Sequence, residues 1–220
     1  MPEYIITCGY HQTGNSASLF RLWYDNTLKY ARPKKIFVIN AGGEAVRYGE
    51  AEWINVGNLG HVLSMPRKQK LAGCTGCMLT SLLLAYQCKC DWIYKESDCL
   101  AFGPYVEVLY KDLREQNALA LVGKVNWNGV AKNVQAQSLL LVKWEYTLEF
   151  IQKYLSIPMG DGVLIPELKF RHLQNDSYGR IKAMSLDYDR SRPIDYDRPA
   201  FYAQQLSAEE LSALKARQLI

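Results

Sequence analysis

The stretch Asp91-Trp92-Ile93-Tyr94-Lys95-Glu96-Ser97-Asp98 decides how this chain reads. A short apolar run, bounded like a strand, ends in two carboxylates separated by one residue. A strand that stops in an acidic turn puts oxygens at the carboxyl edge of a sheet, where ligands bind in open α/β folds. Hard oxygen ligands in that place suit Mg²⁺ or Mn²⁺ bridging to phosphate. A solvated strand-to-loop turn has the same local sequence, so the weight rests on what surrounds it.

Immediately before it, Leu71, Met78, Leu82 and Ala85 recur at helical spacing and predict a helix from Arg67 to about Cys88. Arg67, Lys68 and Lys70 stand at the head of that helix. The macrodipole disfavours cations there, so their placement points to an anionic partner. Further back, Tyr4 to Cys8 reads as a buried strand closed by Gly9, followed by a helix that Asn15 or Ser16 caps and Pro33 stops. Ile36 to Ile39 is a second strand, broken by Ala41-Gly42-Gly43, and Trp53 to Val56 a third, leading into Gly57-Asn58-Leu59-Gly60.

Beyond the acidic turn, Gly103-Pro104 opens a helix through about Gln116, with Pro where a first turn tolerates it. Ala118 to Val125 and Leu139 to Val142 are strand candidates, the second passing into an amphipathic helix through Leu155. This alternation predicts an α/β sheet with mostly parallel strands in the first half. After Ile157-Pro158 the texture changes to mixed polar sequence with a near-repeat, DYDRSRP at Asp187 to Pro193 and DYDRP at Asp195 to Pro199. Eight residues are too short a period for a solenoid unit, so a loop or flap is expected. Ser207-Ala208-Glu209-Glu210 starts a final helix with a capping box.

The 220 residues, 49% hydrophobic and 22% charged, suit one domain that folds without disulfides or metal. No apolar run approaches the roughly 18 to 20 residues of a membrane span. The N-terminal MPEYIITCGYHQ lacks the basic and apolar regions of a signal peptide, and a cytoplasmic location is expected. A net charge of +4, without a dense basic stripe, argues against nucleic acid as partner. The six cysteines read as reduced thiols. No P-loop, GxGxxG or GxSxG is present.

In this order of elements the chain resembles the GT-A class of nucleotide-sugar glycosyltransferases: YIITCG, FVINAGGE, the basic-headed RKQKLAGCTGCMLTSLLLAY, then DWIYKESD. The first half matches well, the second loosely through SLLLVKW, DGVLIPELKF and FYAQQLSAEEL. The resemblance implies an α/β GT-A (Rossmann-like) fold, with a mixed, mostly parallel sheet flanked by helices. It further implies a single domain over residues 1–220, with a donor half at 1–103 and an acceptor half at 104–220 carrying the C-terminal flap and helix. The expected activity is transfer of a hexose or deoxyhexose from a nucleoside-diphosphate sugar to a carbohydrate or other hydroxyl acceptor, inverting rather than retaining.

On that reading the metal ligands are Glu96 and Asp98, binding Mn²⁺ or Mg²⁺ that holds the donor diphosphate, with Glu96 standing where the family usually has Asp. Arg67 and Lys70 add charge-assisted hydrogen bonds to the phosphates. Thr7, Gly9 and Tyr10 after the first strand, and Asn40 and Glu44 after the second, are candidate contacts to base and ribose. Strand-ending turns need those residue types in any case. Asp161 and Glu167 are the candidates for the base that deprotonates the acceptor, although Glu167 after Pro166 also suits a helix start.

Three alternatives stay open. A nucleotidyltransferase would bear a basic, Gly-rich loop after the first strand, and CGYHQTGNS lacks the basic residues. A non-catalytic nucleotide-sugar or carbohydrate-binding protein would keep the motif without turnover. Zinc on Cys74, Cys77, Cys88 and Cys90 is disfavoured by a Cys pair inside a helix and by Cys-x-Cys spacing. The triplets Asp187-Tyr188-Asp189 and Asp195-Tyr196-Asp197 each adjoin an Arg and read as surface ion pairs. His172 is a candidate late metal ligand, and His11 and His61 are too dispersed to cluster.

Overall fold

The computed structural model describes residues 2–11, 16–43, 48–57, 72–127, 130–157, 166–186 and 192–220, with the backbone alone at 16, 72–74, 124–127, 130–137 and 166–168. The chain opens with β1 (Tyr4–Tyr10), α1 (Ser16–Tyr30), β2 (Lys35–Asn40), β3 (Glu52–Asn55), α2 (Ala72–Cys88) and β4 (Asp91–Lys95). It continues with β5 (Cys99–Phe102), α3 (Tyr105–Glu115), β6 (Ala120–Trp127), β7 (Val130–Val142) and α4 (Thr147–Ser156). It closes with α5 (Pro166–Asp176), β8 (Ile181–Ala183), β9 (Phe201–Gln204) and α6 (Ala208–Ala216).

A seven-stranded sheet runs in the order β3-β2-β1-β4-β7-β6-β8. β3, β2, β1 and β4 are parallel, β7 runs antiparallel to both its neighbours, and β8 is parallel to β6. The expected mixed, mostly parallel sheet flanked by helices is therefore present. The alternation of the strands builds two cores. Tyr4, Ile6, Cys8, Val38, Ile93 and Leu141 face one side, joined by Phe20 and Trp23 of α1 and by α3 and α6. Ile5, Phe37, Ile39, Trp92, Tyr94 and Leu140 face the other, under α2, α4 and α5. With both faces covered, the parallel strands read as nearly continuous apolar runs, which is why β1, β2 and β4 stand out in the sequence.

The connections diverge at β1. The chain leaves it through α1 towards β2 and β3, then returns across the opposite face through α2 to β4 on its other side. The carboxyl ends of β1 and β4 thus flank a topological switch point, the place where an open α/β sheet leaves a crevice for ligands.

The structure differs from the sequence reading in several elements. β5 and β9, four residues each, form a separate antiparallel pair. β7 extends back to Val130, far beyond the apolar Leu139 to Val142, because it pairs along its length with β6 through two register shifts. β6 itself starts two residues later than expected and runs to Trp127. The final helix has the expected capping box, with Ser207 Oγ accepting from the Glu210 N–H and Glu210 Oε2 accepting from the Ser207 N–H.

Gly103, between β5 and α3, has φ of +65°, and a Cβ there would overlap the Pro199 carbonyl oxygen. Both the conformation and the contact demand glycine. Gly103→Ala is expected to cost roughly 2–4 kcal/mol, read as a lower urea midpoint at unchanged slope.

Candidate functional site at the switch point

β4 ends at Lys95, and the chain turns at once: the Glu96 N–H donates to the Ser138 carbonyl at 2.9 Å and the Cys99 N–H to the Glu96 carbonyl at 2.9 Å. The first bond ties the turn to the antiparallel neighbour β7. The second folds the Glu96-Ser97-Asp98 tip over so that β5 can start. Because β5 pairs with β9, Cys99 lies opposite Gln204.

That pairing completes the site. Gln204 is 3% exposed. Its Nε2 donates to Glu96 Oε2 and, at 2.9 Å, to Asp98 Oδ1. Its Oε1 accepts from Ser138 Oγ at 2.9 Å, which fixes the amide. Two carboxylates separated by one residue therefore converge on a single polar group supplied from more than a hundred residues later in the chain. Without such a donor, two carboxylates this close would repel each other. Arg192 holds this late segment in place: its Nη2 donates to the Gln204 and Gln205 carbonyls at 3.1 and 3.3 Å, and the guanidinium pairs with Glu210 of α6.

Behind the turn lies Lys95, fully buried and facing α1. Its Nζ donates to Asn26 Oδ1 at 3.0 Å and sits 4.9 Å from the Trp23 ring centroid. Burial pulls its pKa down to about 7. Asn26 Oδ1 also accepts the Ala101 N–H at 3.0 Å, and Trp23 Nε1 donates to the Lys95 carbonyl at 3.2 Å. Asn26 and Trp23 thus clamp the strands on both sides of the acidic turn to α1. Beside Asp98 and Ser97 opens a cavity of about 100 Å³ walled mainly by leucines, among them Leu19, Leu22, Leu100 and Leu211.

The other candidate residues divide into three groups. Glu96 and Asp98 are brought together as described. Thr7, Gly9, Tyr10 and Asn40 are at the right edge but work inward. Thr7 is buried, its Oγ1 accepting from Trp92 Nε1 at 2.8 Å. Tyr10 packs edge-on against Phe20 and Trp53, so its ring belongs to the core. Asn40 shapes the loop after β2, donating to the Gly43 carbonyl at 3.1 Å and Asn55 Oδ1 at 2.9 Å, and accepting the Gly42 N–H at 3.2 Å. Gly9 permits close packing, since a Cβ there would meet Cys77 Cβ and the Tyr94 hydroxyl, each at 3.1 Å. Glu44, Arg67, Lys68, Lys70 and Asp161 lie outside the described residues, and Glu167 is placed by its backbone alone, in the first turn of α5.

The remaining candidates are the histidines, the later acidic triplets and the cysteines. His172 is exposed on α5, and His61 lies outside the described residues. Asp195 pairs with Arg198 at 3.6 Å and Asp197 with Arg217 at 2.8 Å, as expected of surface carboxylates; Asp187 and Asp189 lie outside the described residues. Cys8 and Cys77 are buried thiols whose pKa values burial raises, that of Cys77 to about 12. Gln204, Ser138, Asn26 and the anchoring role of Lys95 did not stand out in the sequence. Lys95 left one signal, a charge continuing an apolar strand into a core position; a glutamine closing the four-residue Phe-Tyr-Ala-Gln left none.

No protein-family model and no curated protein sequence matches the chain. Solved structures do. A galactosyltransferase, LgtC, solved in complex with donor and acceptor sugar analogs, superposes with a TM-score of 0.58 at 13% identity, over 98% of this chain and 94% of its own. A glycosyltransferase involved in glycosylation of the major capsid of PBCV-1 gives 0.53 at 9% identity, over the whole of both chains. Mouse xyloside xylosyltransferase 1 gives 0.52 at 9% identity, over 86% of this chain and 87% of its own.

Proposed function

From a chain that has the GT-A glycosyltransferase fold, we propose that it transfers a sugar from a nucleoside-diphosphate sugar to a hydroxyl acceptor with the help of a divalent cation. The observation that carries this reading is the convergence of Glu96 and Asp98 on one amide at the switch-point edge.

The donor set fits a hard cation. Glu96 and Asp98 converge on one polar group and would offer a cation two anionic oxygens. Among the described residues no group of three or more His, Cys, Asp or Glu could hold a metal. Two carboxylates plus substrate phosphate oxygens is the usual ligand set of Mg²⁺, and of Mn²⁺ by the same hard-donor preference. When bound, the cation offsets charge that builds on the departing diphosphate.

The chain's own residues do the rest. Ser138 and Gln204 orient the carboxylates, and the clamp of Trp23 and Asn26 on Lys95 and Ala101 holds both strands flanking the turn. Arg67 and Lys70 contribute charge-assisted hydrogen bonds to the phosphates. Glu44 contacts the nucleoside beyond the loop that Asn40 shapes. Asp161 or Glu167 takes the acceptor proton in an inverting reaction on a hexose or deoxyhexose. No helix among the described residues is long and apolar enough to cross a membrane. The reading places the protein in the cytoplasm, where free thiols such as Cys8 and Cys77 stay reduced.

Thermal unfolding with Mn²⁺ and a panel of nucleoside diphosphates tests the binding half of this reading. One nucleotide is expected to raise the midpoint in the presence of Mn²⁺ and to lose that effect with EDTA. If no nucleotide and metal pair shifted the midpoint, the proposal would fall.

A further inference from the structure

Lys169, in the first turn of α5, is 3% exposed, yet no ion pair or hydrogen bond joins its ammonium to any described residue. Its Nζ sits over the Tyr154 ring, 3.9 Å from the centroid. The ring face attracts a cation but accepts none of the ammonium's three N–H bonds. Burial of the side chain pulls its pKa below the ordinary lysine value.

The surroundings favour an anion. The Tyr154 hydroxyl lies 3.4 Å from Thr75 Oγ1, in the first turn of α2. Half a turn further along α2, Cys77 packs against Gly9 near the carboxyl end of β1. Lys169, Tyr154 and Thr75 therefore sit at the ligand edge of the sheet, on the face opposite Lys95. The N-terminal turns of α2 and α5 both reach Tyr154 there, through Thr75 and Lys169, each with its positive dipole end. α5 lies across β7 and β8, in the half of the chain expected to take the acceptor.

We propose that Lys169, with the hydroxyls of Tyr154 and Thr75, forms a subsite for a negatively charged substituent, a carboxylate or a phosphate, on the sugar that this protein binds. The inference rests on the sugar-transfer reading and narrows it to acidic or phosphorylated sugars. The ammonium supplies the charge, and the paired hydroxyls of Tyr154 and Thr75 supply polar contacts beside it. Lys169 is a binding residue here; the structure assigns it no bond-making step.

Chemical-shift titrations of the full chain with glucose, glucuronate and glucose 6-phosphate test this. The wild type is expected to bind at least one anionic sugar about tenfold more tightly than glucose, the size of one charge-assisted hydrogen bond. Glucuronate alone would identify a carboxylate, and glucose 6-phosphate alone a phosphate. Lys169→Met is expected to erase the preference and Lys169→Arg to keep it, with Lys169→Gln as a second neutral variant if the methionine form does not fold. Equal binding of all three sugars by the wild type, or a preference that survives in a folded neutral variant, would overturn the subsite. Nucleotide binding with Mn²⁺ is read separately. If it failed while the anion preference held, the transfer reading alone would be lost.

Discussion

Asp98→Asn is expected to lower metal-dependent turnover of the donor by roughly 100- to 1000-fold, the usual loss when one preorganised electrostatic partner is removed from a developing charge. The substitution is nearly isosteric, and its Oδ1 still accepts from Gln204 Nε2, so the turn, the β5 and β9 pair and the fold should persist. What disappears is one of the two negative charges that converge on Gln204. Activity measured against Mn²⁺ concentration, beside a urea unfolding curve, separates the outcomes. Loss of turnover with a preserved midpoint supports the assignment; full activity at ordinary Mn²⁺ would move the metal elsewhere.

The second large effect concerns Lys95. Its folded pKa, pulled to about 7 by burial, lies below the value near 10.4 of an unfolded lysine. Between those values the unfolded chain binds a proton that the folded chain does not, so stability rises with pH. Below pH 7 both states carry the proton, and the folded state bears the full cost of burying it. Above about pH 8.5 the buried thiols of Cys8 and Cys77 act the other way, because burial raises their pKa values and the folded chain keeps protons that the unfolded chain releases. The clean window is therefore pH 7 to about 8.5. Across it, in metal-free buffer, the wild type should gain about 2 kcal/mol relative to Lys95→Met. Parallel pH profiles of the two proteins would show that Lys95 does not titrate in this range.

The difference between Lys95 and Glu96 shows how much of this molecule its sequence makes legible. An apolar strand followed by acid, x, acid marks the edge of the sheet, because burial on both faces forces an apolar run and the edge ends it. The same logic exposes β1 and β2. It does not expose β5 and β9, whose four residues each are fixed by one another rather than by local pattern. Nor does it expose the length of β7, where Val130 to Gln137 mixes polar residues into a strand that exists through its pairing with β6.

The site divides along the same line. Glu96 and Asp98 were readable because their spacing is local. Gln204 was not, because a glutamine at the end of a short strand acquires meaning only when β9 sets it opposite Cys99. Thr7 and Tyr10, expected after a strand to contact base and ribose, turn their side chains inward, Thr7 to Trp92 Nε1 and Tyr10 to Phe20 and Trp53. Residue type at a strand end shows that a turn is near, and the alternation of the strand decides which way each side chain faces.

The most direct measurement is release of nucleoside diphosphate from a panel of nucleoside-diphosphate sugars, with Mn²⁺ and with EDTA, by the wild type and by Asp98→Asn. The wild type is expected to hydrolyse at least one donor slowly with Mn²⁺, EDTA to stop it, and Asp98→Asn to fall to the EDTA level. Binding of a nucleotide without turnover of any donor would leave a binding protein on a transferase fold. Turnover indifferent to EDTA and to Asp98 would contradict the central claim.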